Sequence, residues 1–168
     1  SMHPTEVKQT FKRVIETGIK HGTMTVLQNK NSYEITTFRV DKDYSDGRHP
    51  DSIEFGLSLE EDIARRDFTM NAIALDLLGK KIIDKVGGIG DIHKKNIRTI
   101  GNPLKRFGED GLRPIRCIRF MSCLNFQIEE ETYKALSITK SITKKISVER
   151  FKAEIDKILE CKNPDSGI

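Results

Sequence analysis

Glu60-Glu61-Asp62-Ile63-Ala64-Arg65-Arg66-Asp67-Phe68-Thr69-Met70-Asn71-Ala72-Ile73-Ala74-Leu75-Asp76 is charged in its first half and apolar in its second. Ser58 stands ahead of it with Glu61 three residues on, the spacing of a capping box, and predicts a helix start. Ile63, Ala64 and Phe68 are expected on one buried side. Arg65, Arg66 and Asp67 fall at the far end of that helix, with Asn71 four residues beyond Asp67. Residues 72–75 read as a strand, so the cluster sits where a helix hands over to a sheet. Guanidinium forks suit phosphate oxygens and a carboxylate suits a sugar hydroxyl. A solvated helix end with local ion pairs accounts for the same residues equally well.

A second stretch, Glu109-Asp110-Gly111-Leu112-Arg113-Pro114-Ile115-Arg116-Cys117-Ile118-Arg119-Phe120, repeats arginine every three residues. On a helix, Asp110, Arg113 and Arg116 form one polar stripe. With the first stretch it resembles the class II CCA-adding tRNA nucleotidyltransferases, the family shared with bacterial poly(A) polymerases. Arg65-Arg66-Asp67-Phe68-Thr69-Met70-Asn71-Ala72 is similar to that family's ribose- and phosphate-binding motif. Gly87-Gly88-Ile89-Gly90-Asp91, followed by Ile97-Arg98, resembles the next motif. Glu109-Asp110, Arg113 and Arg116 resemble the motif that selects the nucleotide. The resemblance runs from about Pro4 to the end of the chain.

The resemblance implies an α/β fold. A partial nucleotidyltransferase head, or palm, with an antiparallel or mixed sheet and helices is expected over residues 1–99. A nucleotide-selecting, all-α neck, truncated at its C-terminal end, is expected over residues 100–168. The implied activity is addition of CCA to tRNA 3′ ends from CTP and ATP without a nucleic-acid template. A poly(A) polymerase fragment, or a non-catalytic RNA- or nucleotide-binding module on the same scaffold, is the alternative. Arg65, Arg66, Asp67 and Asn71 are the implied contacts to ribose and triphosphate. Glu109, Asp110, Arg113 and Arg116 are the implied base-selecting set, with Asp110 and Arg113 facing the base. Cytosine and adenine both present an amino donor beside a ring-nitrogen acceptor, whereas uracil and guanine present the reverse. One fixed Asp/Arg pair therefore accepts the first two and leaves unpaired polar groups with the others. Glu109 and Asp110 near the positive end of a helix dipole are the plain structural alternative. Pro114 bends this helix unless the helix begins just before it.

The family's metal-binding aspartate pair lies upstream of the first helix and is not in this sequence. Asp41 and Asp43 have the pair's spacing but read as loop charges. Glu34 matches a strand glutamate of the family and is the remaining candidate catalytic carboxylate. Mg²⁺ is thus implied for the longer enzyme, with no ligand pair here and no two-metal step for this chain alone. Tyr44, Asp46 and Arg48 resemble the flexible loop that aids the switch from C to A. The tRNA 3′ end and ATP or CTP are the implied partners. The absent strand should expose a sheet edge and promote a homodimer or swapped dimer.

Composition agrees without deciding. The 168 residues carry a formal net charge of +4, which permits a nucleic-acid partner. Cys117, Cys123 and Cys161 are an odd set without metal-ligand spacing, expected as reduced thiols in a cytoplasmic protein. No apolar run reaches membrane-spanning length, and no secretory signal is read.

Along the chain, residues 5–20 read as a helix and residues 23–27 and 33–40 as a hairpin around Asn29-Lys30-Asn31. A polar loop over residues 41–50 and a brief strand at residues 53–55 follow. Residues 72–77 and 82–84 form a second hairpin, with Gly87, Gly88 and Gly90 closing the sheet region. Residues 106–124, 130–138 and 147–159 read as helices, with no strand after about residue 100.

Overall fold

The computed structural model describes residues 1–42, 52–56, 58–144 and 146–167. The chain divides into two compact units, Ser1–Asp43 with Pro50–Arg65, and Tyr44–His49 with Arg66–Ile168. Each is built around its own apolar cluster.

In the first unit, helix α1 (Pro4–Thr10) opens on His3, which forms a capping box with Glu6, and has Pro4 in its first turn. The helix expected over residues 5–20 stops at Thr10, and Val14–Gly18 is instead strand β1. Val14, Ile15 and Thr17 are β-branched and favour a strand. They meet β2 (Thr23–Gln28) antiparallel, with Val14 opposite Val26. Val7, Phe11 and Val14 mimic a helical period because all three reach one core, with Met24, Val26 and Ile35. Strand β2 turns into β3 (Asn31–Thr36) through Asn29 and Lys30, both at positive φ of 50° and 65°. That is the left-handed two-residue turn that matches strand twist.

The strand expected over residues 33–40 is divided. Its end belongs to β4 (Arg39–Lys42), which pairs with β5 (Ser52–Phe55). Helix α2 (Leu59–Ala64) carries the capping box of Ser58 and Glu61. Its buried face is Asp62 and Ile63, while Ala64 is exposed, a correction to the expected apolar side. Asp62 tolerates burial because Arg65 donates to it from Nε and Nη2 at 2.9 and 2.6 Å.

The second unit opens with a 3₁₀ turn at Thr69–Asn71 and the hairpin of β6 (Ile73–Asp76) and β7 (Lys81–Asp84). Gly87 and Gly88 start a helix, α3 (Gly88–His93), rather than closing a sheet. Asp84 holds that start by accepting the backbone N–H groups of Val86, Gly87, Gly88 and Ile89. A side chain at Gly88 would collide with the Thr69 carbonyl. Asp91 accepts from Thr69 Oγ1 at 2.6 Å and Arg98 Nε at 3.0 Å.

Strand β8 (Asn96–Ile97) then leads to the helices α4 (Pro103–Glu109), α5 (Leu112–Leu124), α6 (Glu130–Ile138), α7 (Lys140–Thr143) and α8 (Val148–Leu159). The helix expected over residues 106–124 is two helices. Asp110 is extended, at φ −143° and ψ 113°, and ends α4. Pro114 is the third residue of α5, where its missing N–H costs no helical bond. Strands do not end near residue 100, since β9 (Gln127–Ile128) pairs in parallel with β8. The core is Phe68, Ile97, Phe107, Cys117 and Ala135.

Cys123 and Cys161 form a disulfide, correcting the expectation of three reduced thiols. Packing of α8 on α5 brings together two cysteines 38 residues apart in sequence. Cys117 stays a buried free thiol. No helix among the described residues is long and apolar enough to cross a membrane.

Candidate nucleotide site

In the first unit, Arg65 caps α2 and is paired with Asp62, so the expected phosphate ligand has a structural partner. Glu34 is exposed on β3, opposite Thr25. Among the described residues, no three His, Cys, Asp or Glu side chains converge as a metal site. A lone strand carboxylate does not fit Mg²⁺, which takes carboxylates together with substrate phosphates in octahedral array. Tyr44, Asp46 and Arg48 lie outside the described residues.

In the second unit, Asp67 is the centre of the first motif. Its Oδ1 accepts the Phe68 N–H at 2.8 Å and the Asn71 amide at 3.1 Å. Its Oδ2 accepts Nε and Nη2 of Arg116, both at 2.8 Å. Burial alone would push this carboxyl up, but Arg116, Asn71 and Phe68 together hold it below the usual range. Four donors fill the acceptor capacity of a carboxylate. In this arrangement the Asp67 side chain orients Asn71 and Arg116. Arg66 Nη1 donates to the Asn71 carbonyl at 3.0 Å, which ties the motif's ends together.

The second motif lies at the α4–α5 junction. Asp110 is off the helix, so the expected stripe is reduced to Arg113 and Arg116, one turn apart on α5. Asp110 Oδ1 accepts the Leu112 N–H at 3.0 Å, and Oδ2 accepts Arg150 Nη2 of α8, also at 3.0 Å. Arg113 is only 8% exposed. Its Nη1 donates to Glu109 Oε2 at 2.5 Å and to the Arg106 carbonyl at 2.8 Å. Glu109 also takes Arg106 Nη1, so it braces two arginines rather than facing outward. Further along α5, the Arg119 guanidinium lies 4.2 Å from the Phe120 ring and pairs with the buried Glu154.

The motifs meet through α5, which carries Arg113 to the junction and Arg116 to Asp67. Arg150, Arg106 and Glu154 were not singled out from the sequence. Arg150 lies 40 residues from Asp110, and no local spacing connects them.

Residues 1–98 match a family model described as "Poly A polymerase head domain", and the chain belongs to that family. Residues 125–168 match a second model, described as "Probable RNA and SrmB- binding site of polymerase A". The chain is 51% identical over 158 residues to a CCA-adding enzyme of Lactobacillus johnsonii, covering 94% of this chain and 39% of that protein. A CCA-adding enzyme of Enterococcus faecalis is 48% identical over all 168 residues, 41% of its length. The structure is similar to the Bacillus stearothermophilus CCA-adding enzyme in complex with CTP, with a TM-score of 0.88 and 42% identity. That match covers 96% of this chain and 38% of the other. The chain thus spans about two fifths of the length of the curated relatives it matches.

Proposed function

We propose that this chain is the nucleotide-binding and base-selecting part of a CCA-adding tRNA nucleotidyltransferase. The observation that carries this is the α4–α5 junction, where Asp110 is fixed from both sides while Arg113 is held by Glu109 and a backbone carbonyl. An immobilised carboxylate followed three residues on by an immobilised guanidinium is preorganised to read a base edge without a template. Asp110 accepts from the amino group of cytosine or adenine, and Arg113 donates to the neighbouring ring nitrogen. Uracil or guanine would set a carbonyl against the carboxylate and an N–H against the guanidinium. Each mismatch buries an unpaired polar group, which is a large penalty.

Arg66 meets the triphosphate, while Arg116 and Asn71, aimed by Asp67, meet ribose and phosphate. The relatives named CCA-adding enzyme, and the similar structure solved with CTP, support this assignment. Poly(A) polymerase is the second reading, favoured by the description of the head family, and it predicts use of ATP alone.

The test uses the full-length protein containing this chain, a tRNA without its CCA end, and each of four nucleotides. CTP and ATP should be used and UTP and GTP rejected. Asp110→Ala removes a hydrogen bond to a charged group, worth about 1.5–3 kcal/mol. That is roughly one to two decades in efficiency for CTP and ATP, with a much smaller loss for UTP and GTP. A parallel loss for all four would reduce Asp110 to an anchor for Leu112 and Arg150.

A further inference from the structure

Within the first unit, a groove of about 710 Å³ lies between the end of α1 and the β2–β3 turn. One wall is the segment after α1, carrying Phe11, Lys12 and Arg13. It is pinned to the sheet where the Leu27 N–H donates to the Arg13 carbonyl at 2.9 Å. The other wall is the turn itself, with Asn29 and Lys30 at positive φ and Lys30 exposed in the lining. Among the described residues, no acidic side chain lines this groove. Glu16, on the adjoining strand, is taken by Lys8. Phe11 is half-buried and Leu27 half-exposed at the groove, giving it an apolar surface beneath its cations. None of these features takes part in the nucleotide site described above.

We infer that this groove binds a single-stranded segment of RNA, with Lys12, Arg13 and Lys30 on consecutive phosphates and Phe11 against a base. Three cations on a groove whose described lining holds no acidic side chain make a local field that attracts a polyanion. A charged groove with an aromatic face is the arrangement that holds single strands, because every base offers a stacking surface. A rigid duplex would engage the rim cations but leave Phe11 unused. The choice of RNA among polyanions rests on the proposed tRNA-handling function. The location of the site does not.

The test is fluorescence anisotropy of a labelled eight-nucleotide single-stranded RNA on the 168-residue chain, titrated at several salt concentrations. Each phosphate contact contributes about 0.7 to the slope of log affinity against log salt for single strands. Lys12→Ala, Arg13→Ala and Lys30→Ala combined should therefore flatten the slope by roughly 2. Phe11→Leu should weaken binding about tenfold at fixed salt, through lost stacking. Thermal unfolding of the triple variant should match that of the intact chain, because all three side chains are exposed. CTP binding should also be unchanged, which separates this site from the nucleotide site. An unaltered salt slope in the triple variant would overturn the proposal. So would equal or tighter binding of a duplex RNA of the same length, or of vesicles rich in anionic lipid.

Discussion

Arg116→Met removes the guanidinium from Asp67 while keeping most of the apolar stem. Asp67 is 9% exposed and keeps only the Phe68 N–H and the Asn71 amide as donors. Removing one partner of a buried ion pair costs about 3–5 kcal/mol. The Arg116 side chain is 31% exposed, so water reaches its end of the pair. The expected loss is therefore smaller, about 2–3 kcal/mol. The variant should also weaken a pH dependence. In the intact protein the Asp67 carboxyl is held below its ordinary value of 3.8. The folded chain then binds this proton less readily than the unfolded chain. Its stabilisation is complete above about 3.8 and fades as the pH falls through the lower folded value. Without Arg116, burial still raises the carboxyl and only the Asn71 and Phe68 hydrogen bonds oppose it, so its depression shrinks. The rise of stability with pH through the acid range shrinks with it. Urea unfolding followed by circular dichroism, between about pH 2 and 7, measures both effects. Adding Asp67→Asn should recover part of the loss by removing the unpaired charge. A loss below about 1 kcal/mol, or a variant whose stability rises with pH as steeply as that of the intact chain, would refute the assigned role of this pair.

Arg66→Ala in the full-length protein should lower use of CTP and ATP by the same factor, because a phosphate grip is blind to the base; unequal losses in single-turnover assays would contradict it. Gly88→Ala should destabilise the chain by about 1–3 kcal/mol in urea unfolding, because the new methyl group meets the Thr69 carbonyl. Reducing Cys123–Cys161 should lower stability by up to about 4 kcal/mol, from the entropy of a loop closed across 38 residues. Thiol titration of the unfolded chain should rise from one to three groups on reduction, as the chain has 3 cysteines and only Cys117 is free.

Sequence spacing found what depends on neighbours a few residues apart. The capping box at Ser58 and Glu61, the turn at Asn29 and Lys30, and helix α6 all rest on contacts within about one turn or one hairpin. Those preferences are local, so residue order encodes them directly. The arginine-bearing stretches stood out in residue order as well, but the expected end of strands near residue 100 did not hold, because β9 returns to pair with β8. Local spacing was misleading where a tertiary core imitated it. Val7, Phe11 and Val14 keep a helical period across an element boundary because one cluster draws on both elements. The break at Asp110 escaped a period that Arg113, Arg116 and Arg119 continue on α5 alone.

Tertiary packing alone decided which side chain answers which. Asp67 meets Arg116 across 49 residues, and Asp110 meets Arg150 across 40. No propensity specifies such a pair. The first forms where α5 packs beside Phe68 and the second where α8 packs on α5, because a carboxylate drawn out of water must find a donor. The residue types able to bind a nucleotide were therefore set by the sequence. Their division between facing a ligand and bracing one another, with Asp67 filled and Glu109 turned inward, was set by burial.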